Sequence, residues 1–127
     1  MASYADIVEV VAPGEAAVGS RVDITVRIKN KYSSTIGIMV GGALEYGVTP
    51  CPNISFSDNV ANVPSGAVHS FSGYFTMPDS SVKIHAYSYY YGADGCWHFD
   101  DEAVKNVGLA EQESEFGSIE ITSYARR

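Results

Sequence analysis

The residues predict an all-β protein, a two-layer antiparallel sandwich of about seven to eight strands. The clearest sign is Arg21 to Lys29. There Val22, Ile24, Val26 and Ile28 alternate with Arg21, Asp23, Thr25, Arg27 and Lys29. A period of two sustained this long describes a strand with one buried and one wet face. A second sign is punctuation: Pro13-Gly14, Gly19-Ser20, Pro50 to Asn53, Pro64-Ser65-Gly66, Pro78-Asp79 and Gly92 to Gly95 separate the strand candidates. A third is negative, for no window of eleven or more residues repeats at the 3.6 spacing of an amphipathic helix.

A hydrophobic first strand is expected over residues 7–11, ahead of the alternating strand just described. Residues 36–46 read as a strand that carries Gly37, Gly41 and Gly42. Glycines there mark a bulge or a close backbone approach, and a bend is expected. Residues 67–77 put Phe71, Phe75 and Met77 on one side. Residues 82–90 set Val82, Ile84 and Ala86 opposite Lys83, His85 and Tyr87. Residues 100–109 are ambiguous, because Asp100 is able to cap a short helix, but a strand is preferred. The sandwich is expected to span residues 1–110. Residues 111–117, with Glu111, Glu113 and Glu115, read as an acidic connector. Residues 118–127 then supply a C-terminal strand that pairs in its own sheet or with a neighbouring subunit.

Composition excludes several function classes. The formal net charge is −7, and the eight Lys and Arg are scattered rather than clustered. A phosphate-binding surface needs such clusters, so nucleic acid is not an expected partner. An anionic membrane surface is unsuited for the same reason, and no apolar run approaches the ~20 residues of a membrane-spanning helix. Met1 to Asp6 has neither the basic nor the apolar region of a secretory signal. The expectation is a protein used without Sec export, or one whose signal has been removed. Cys51 and Cys96 are the two cysteines. A bridge between them closes a loop of about 45 residues and stabilises by roughly 4 kcal/mol on the chain-entropy model. Two free thiols are the alternative.

Residues 13–30, from Pro13-Gly14 through Val18-Gly19 to Asn30, resemble the opening of CARDB-like domains, immunoglobulin-like modules of bacterial and archaeal surface proteins. Phe75-Thr76-Met77-Pro78-Asp79 and the Val82 strand also resemble a strand pair of extracytoplasmic and phage-borne immunoglobulin-like domains. The resemblance implies an immunoglobulin-like antiparallel β-sandwich with a non-enzymatic role. It brings no catalytic residues.

The residues agree on the last point. No GxSxG elbow, GxGxxG loop, P-loop or HExxH motif occurs. His69, His85 and His98 are the candidates for a neutral-pH base, and His69 and His85 read as exposed strand residues. Asp100 and Asp101 are adjacent, and neighbours on a strand point to opposite faces, a poor geometry for acid–base work. Asp94, Asp100, Asp101 and Glu102 surround a glycine-flanked loop and are a weak calcium candidate, since calcium takes six to eight oxygens. A solvated acidic loop is the plainer reading.

The aromatic concentration is more informative. On a strand, Tyr87, Tyr89 and Tyr91 form one stripe with Tyr90 toward the core. Three tyrosines on a wet face suggest a contact surface. Trp97 alone reads as a core plug. Ile119, Ile121 and Tyr124 in the last strand offer a second interface by strand addition. The expected function is therefore a structural protein that assembles with itself or with other structural subunits. It is a virion component, such as a capsid-decorating or tail protein, or a surface filament subunit, on the virion or extracellular surface. The rivals are a glycan-binding module with Tyr87, Tyr89, Tyr91 and Trp97 as platform, and one module of a larger surface adhesin.

Overall fold

The computed structural model describes residues 3–110. The proposed connector 111–117 and the C-terminal strand with Ile119, Ile121 and Tyr124 lie outside the described residues. The strands are β1 (Ala5–Val11), β2 (Glu15–Ala16), β3 (Arg21–Asn30), β4 (Ile36–Glu45), β5 (Ser55–Phe56), β6 (Val60–Val63), β7 (Val68–Thr76), β8 (Val82–Tyr91) and β9 (Trp97–Leu109). They form two sheets, one ordered β1-β3-β7-β5 and the other β2-β9-β8-β4-β6. This is the all-β sandwich the alternation predicts. The preference for a strand over residues 100–109 is borne out, for they are the larger part of the thirteen-residue β9.

The core lies where the alternating faces meet. Val22, Ile24, Val26 and Ile28 of β3, with Phe71 and Phe75 of β7, face Ile38, Val40 and Leu44 of β4 and Val82, Ile84 and Ala86 of β8. Removing these side chains from water supplies the main favourable term in folding. Two polar residues are fully buried among them, and both are satisfied. The Asn30 amide donates to the carbonyls of Ser34 and Val63 at 2.9 and 2.8 Å, and its Oδ1 accepts from the Tyr32 amide at 2.7 Å. Ser88 Oγ donates to the Ala5 carbonyl at 2.6 Å and pins β1 to the second sheet.

No bulge falls at the β4 glycines. β4 pairs with β8 in unbroken register from Ile38↔Tyr90 to Glu45↔Lys83. The glycines instead admit close neighbours. A Cβ on Gly42 would lie 3.0 Å from Ile54 Cδ1 and 3.3 Å from the His85 carbonyl oxygen. One on Gly37 would lie 3.3 Å from Tyr91 Cβ and 3.4 Å from Trp97 Cη2. Missing side chains on β4 thus seat Ile54 against one face and aromatic rings against the other. The bulge falls in β9, where Ser88 pairs with Asp101 but Tyr89 pairs with Phe99, leaving Asp100 as the extra residue.

Candidate functional site

β8 and β9 are joined by a tight hairpin turn. The Gly95 amide donates to the Gly92 carbonyl, the Gly92 amide donates to the Cys96 carbonyl, and Gly95 has φ near 78°. A turn followed by a left-handed glycine is a common three-residue hairpin, and only glycine takes that φ freely. Past the turn the register sets Tyr91 opposite Trp97, Tyr89 opposite Phe99 and Tyr87 opposite Glu102. The bulge at Asp100 follows these turn-set pairs and is what puts Glu102 opposite Tyr87.

On the outer face the rings pack edge to face. Tyr87 and Tyr89 meet Phe99 with centroids 6.1 and 5.9 Å away, and Tyr91 meets Trp97 at 5.2 Å. Such geometry is favourable for aromatic quadrupoles. Phe99 remains 57% exposed and Tyr91 49%. Trp97 is not the core plug expected of it: it is 36% exposed and lies over Gly37, which has no side chain to hold it away. Tyr91 and Trp97 are inclined at 69°, so they offer no coplanar pair on which a sugar ring could lie flat. Tyr90 is half-buried, touches the core and packs against Tyr4 and His98.

One end of this face carries a charged cluster. His85 Nδ1 lies 2.7 Å from Glu102 Oε2, and its Nε2 lies 2.7 Å from Glu45 Oε1. His85 is mostly covered rather than an exposed strand residue, with its side chain 21% accessible. Only the imidazolium donates from both nitrogens. The hydrogen bonds to Glu45 and then Glu102 hold the His85 pKa above its ordinary 6.5, outweighing desolvation. The bond to His85, with Lys83 nearby, lowers that of Glu45. A raised folded-state pKa means the stabilisation is complete below the unfolded value near 6.5 and is lost as pH rises through the raised value. The urea midpoint of the protein should therefore fall as pH climbs from about 6.5. In the His85→Gln variant that part of the slope should disappear. Parallel pH profiles for the two proteins would show that the cluster has no such role.

The four candidate calcium ligands do not converge. Asp94 binds His98 Nε2 through both oxygens at 3.0 and 2.9 Å, and this bond, with one from the Cys96 amide, lowers its pKa. Glu102 is engaged with His85. Asp100 accepts from the amides of Ser3, Tyr4 and Ala5 at 2.9, 2.8 and 2.6 Å, and Asp101 accepts from the Ile7 amide at 3.0 Å. The bulge thus turns both adjacent aspartates toward β1, against the expectation of opposite faces. Their oxygens serve as a clasp for that strand. Among the described residues no three His, Cys, Asp or Glu side chains gather as metal ligands.

The bridge between Cys51 and Cys96 is not formed; both are exposed free thiols. Asn53 pairs beside Ala43, which pairs with His85, whereas Cys96 closes the turn next to Tyr91. The six residue steps from His85 to Tyr91 separate those two ends of β8 by roughly 20 Å, and a disulfide needs Cα atoms within about 7 Å.

A concavity, unforeseen in the sequence, opens at the turn end. A groove of about 500 Å³ is lined by Tyr4, Tyr32, Tyr90 and Tyr91, with Asp94 and His98 at the hairpin. Tyr4 meets Tyr32 at 5.0 Å and Tyr90 at 4.7 Å, inclined at 81° and 82°. These rings come from three distant stretches of chain, so no local spacing pointed to them.

No protein-family model matches the chain, and no curated protein matches it. Solved structures do. A Pyrococcus furiosus CARDB domain, solved in complex with di-metal ions, aligns at 11% identity and TM-score 0.58, covering 87% of this chain and 92% of that one. The PKD domain of a peptidase from a Thermoplasmatales archaeon aligns at 12% identity and TM-score 0.51, covering 87% and 100%. The alkylpurine DNA glycosylase AlkC of Pseudomonas fluorescens, bound to DNA containing an abasic-site analogue, aligns at 10% identity and TM-score 0.62. The match covers 87% of this chain but 32% of that one, so the chain spans about a third of the glycosylase. Likenesses at such identity speak to fold, and in fold this chain is a CARDB-like, immunoglobulin-like β-sandwich.

Proposed function

We propose that this domain is a non-enzymatic structural module that works by assembly, and that the outer aromatic face of β8 and β9 is its contact surface. The carrying observation is Phe99, held between Tyr87 and Tyr89 and left more than half exposed beside Tyr91 and Trp97. Rigid aromatic side chains are the groups that dominate binding at interface centres. The partner we favour is a second copy of this chain, whose like face packs as one sheet on another at ~10 Å. The host assembly is a virion, as a capsid-decorating or tail protein, or a surface filament. Support for a protein partner over nucleic acid comes from the net charge of −7. Among the described residues no helix is long and apolar enough to cross a membrane.

Sedimentation of the full chain at micromolar concentration should show association. Phe99→Lys should raise the dissociation constant at least about 30-fold, the size of a hot-spot loss, without lowering the melting temperature. Removal of residues 111–127 separates the contribution of the tail from that of the sheet face. A monomer at every concentration, with and without the tail, ends the self-association reading. It would redirect the search to a preformed lattice of another subunit.

A further inference from the structure

The groove at the turn end is independent of that face in its chemistry. We propose that it binds a quaternary or methylated ammonium group, held over the tyrosine rings Tyr4, Tyr32 and Tyr90 with Asp94 as the counter-charge.

Three observations lead there. First, the rings are arranged as walls. Tyr32 and Tyr90 each stand close to perpendicular to Tyr4. A compact, nearly spherical cation gains from π faces and hydroxyl oxygens on several sides, whereas a flat sugar needs one broad platform. Second, the charge is one-sided. Among the described residues no Lys or Arg lines the groove, and Asp94 is its carboxylate. His98 Nε2 donates to both Asp94 oxygens, and the Cys96 amide donates to Oδ1. These bonds fix the orientation of the carboxylate at the mouth of the hairpin. Gly92 makes room for the pair, since a Cβ there would fall 2.7 Å from Asp94 Oδ1 and 2.7 Å from His98 Cδ2. Third, the volume of about 500 Å³ suits a small headgroup. Methylated ammonium is weakly hydrated and bulky, so it fills an apolar-walled space better than a bare lysine ammonium does.

Choline tests this on the full chain, against its neutral tert-butyl isostere in which carbon replaces the quaternary nitrogen. Followed by NMR titration, choline should shift the resonances of Tyr32 and His98 saturably. The isostere should bind about tenfold more weakly. Asp94→Asn and Tyr32→Leu should each weaken choline about five- to tenfold, with the melting temperature recording that both variants remain folded. Equal binding of choline and the isostere would reduce the groove to a merely apolar cleft and overturn the proposal. So would the absence of saturable shifts in the folded wild type. Neither outcome touches the assembly reading, which rests on Phe99 and is read by sedimentation.

Discussion

Asn30→Ala should lower the unfolding free energy by about 3 kcal/mol, read as a fall in the urea midpoint with the slope unchanged. Asn30 is fully buried and its amide serves three main-chain groups: the carbonyls of Ser34 and Val63 and the amide of Tyr32. Alanine removes all three partners at once and has no polar atom to offer in their place. Each buried group left unpaired costs on the order of 1–3 kcal/mol, and relaxation of the exposed turn recovers part of the sum. Asn30→Asp should do no better, since it sets an acceptor against two carbonyl oxygens where a donor had been. The consequence extends to the groove. Asn30 shapes the turn between β3 and β4 that carries Tyr32, and Ser65 Oγ donates to the Tyr32 carbonyl at 2.5 Å from the other side. Choline affinity should therefore fall in any Asn30 variant that still folds. A midpoint within error of wild type would show that the turn holds without its buried amide.

Asp100→Ala should cost about 2–3 kcal/mol, because hydrogen bonds to an ionised acceptor are the stronger kind and this carboxylate accepts three. The effect should be local before it is global. Hydrogen exchange at the amides of Tyr4 and Ala5 should accelerate, while the amides of β3 facing β7 stay protected. Adding Asp101→Ala should free Ile7 as well, and the two losses should not add simply, since both act on one short strand. Release of β1 uncovers the β3 edge from Thr25 to Asn30 and takes Tyr4 away from the groove. An unpaired edge is a template for pairing with another chain, so the double variant should also aggregate more readily. Unchanged exchange at Tyr4 and Ala5 would show that the β1–β3 ladder and Ser88 hold the strand without the aspartates.

The parts of the fold legible in the residues are those whose physics is local. Val22 to Ile28 and Val82 to Ala86 announce buried faces by spacing alone, because side chains on a strand must alternate and one face must leave water. The same rule put Tyr87, Tyr89 and Tyr91 on one stripe. It failed from Asp100, where one extra residue in β9 cancels the alternation. That residue turned two supposed opposites into a shared clasp. It also put Glu102, rather than Asp101, opposite Tyr87 on the outer face.

What the chain's order of side chains decided by itself was that two pleated layers must close over a greasy interior, and roughly which segments contribute. Tertiary structure alone decided what those segments hold between them. The Asn30 carbonyl partners, the seats above Gly37 and Gly42, the separation of Cys51 from Cys96, and the meeting of Tyr4, Tyr32 and Tyr90 all depend on cross-strand register. Register is set by every strand packing at once, and it leaves no periodic mark on any one of them.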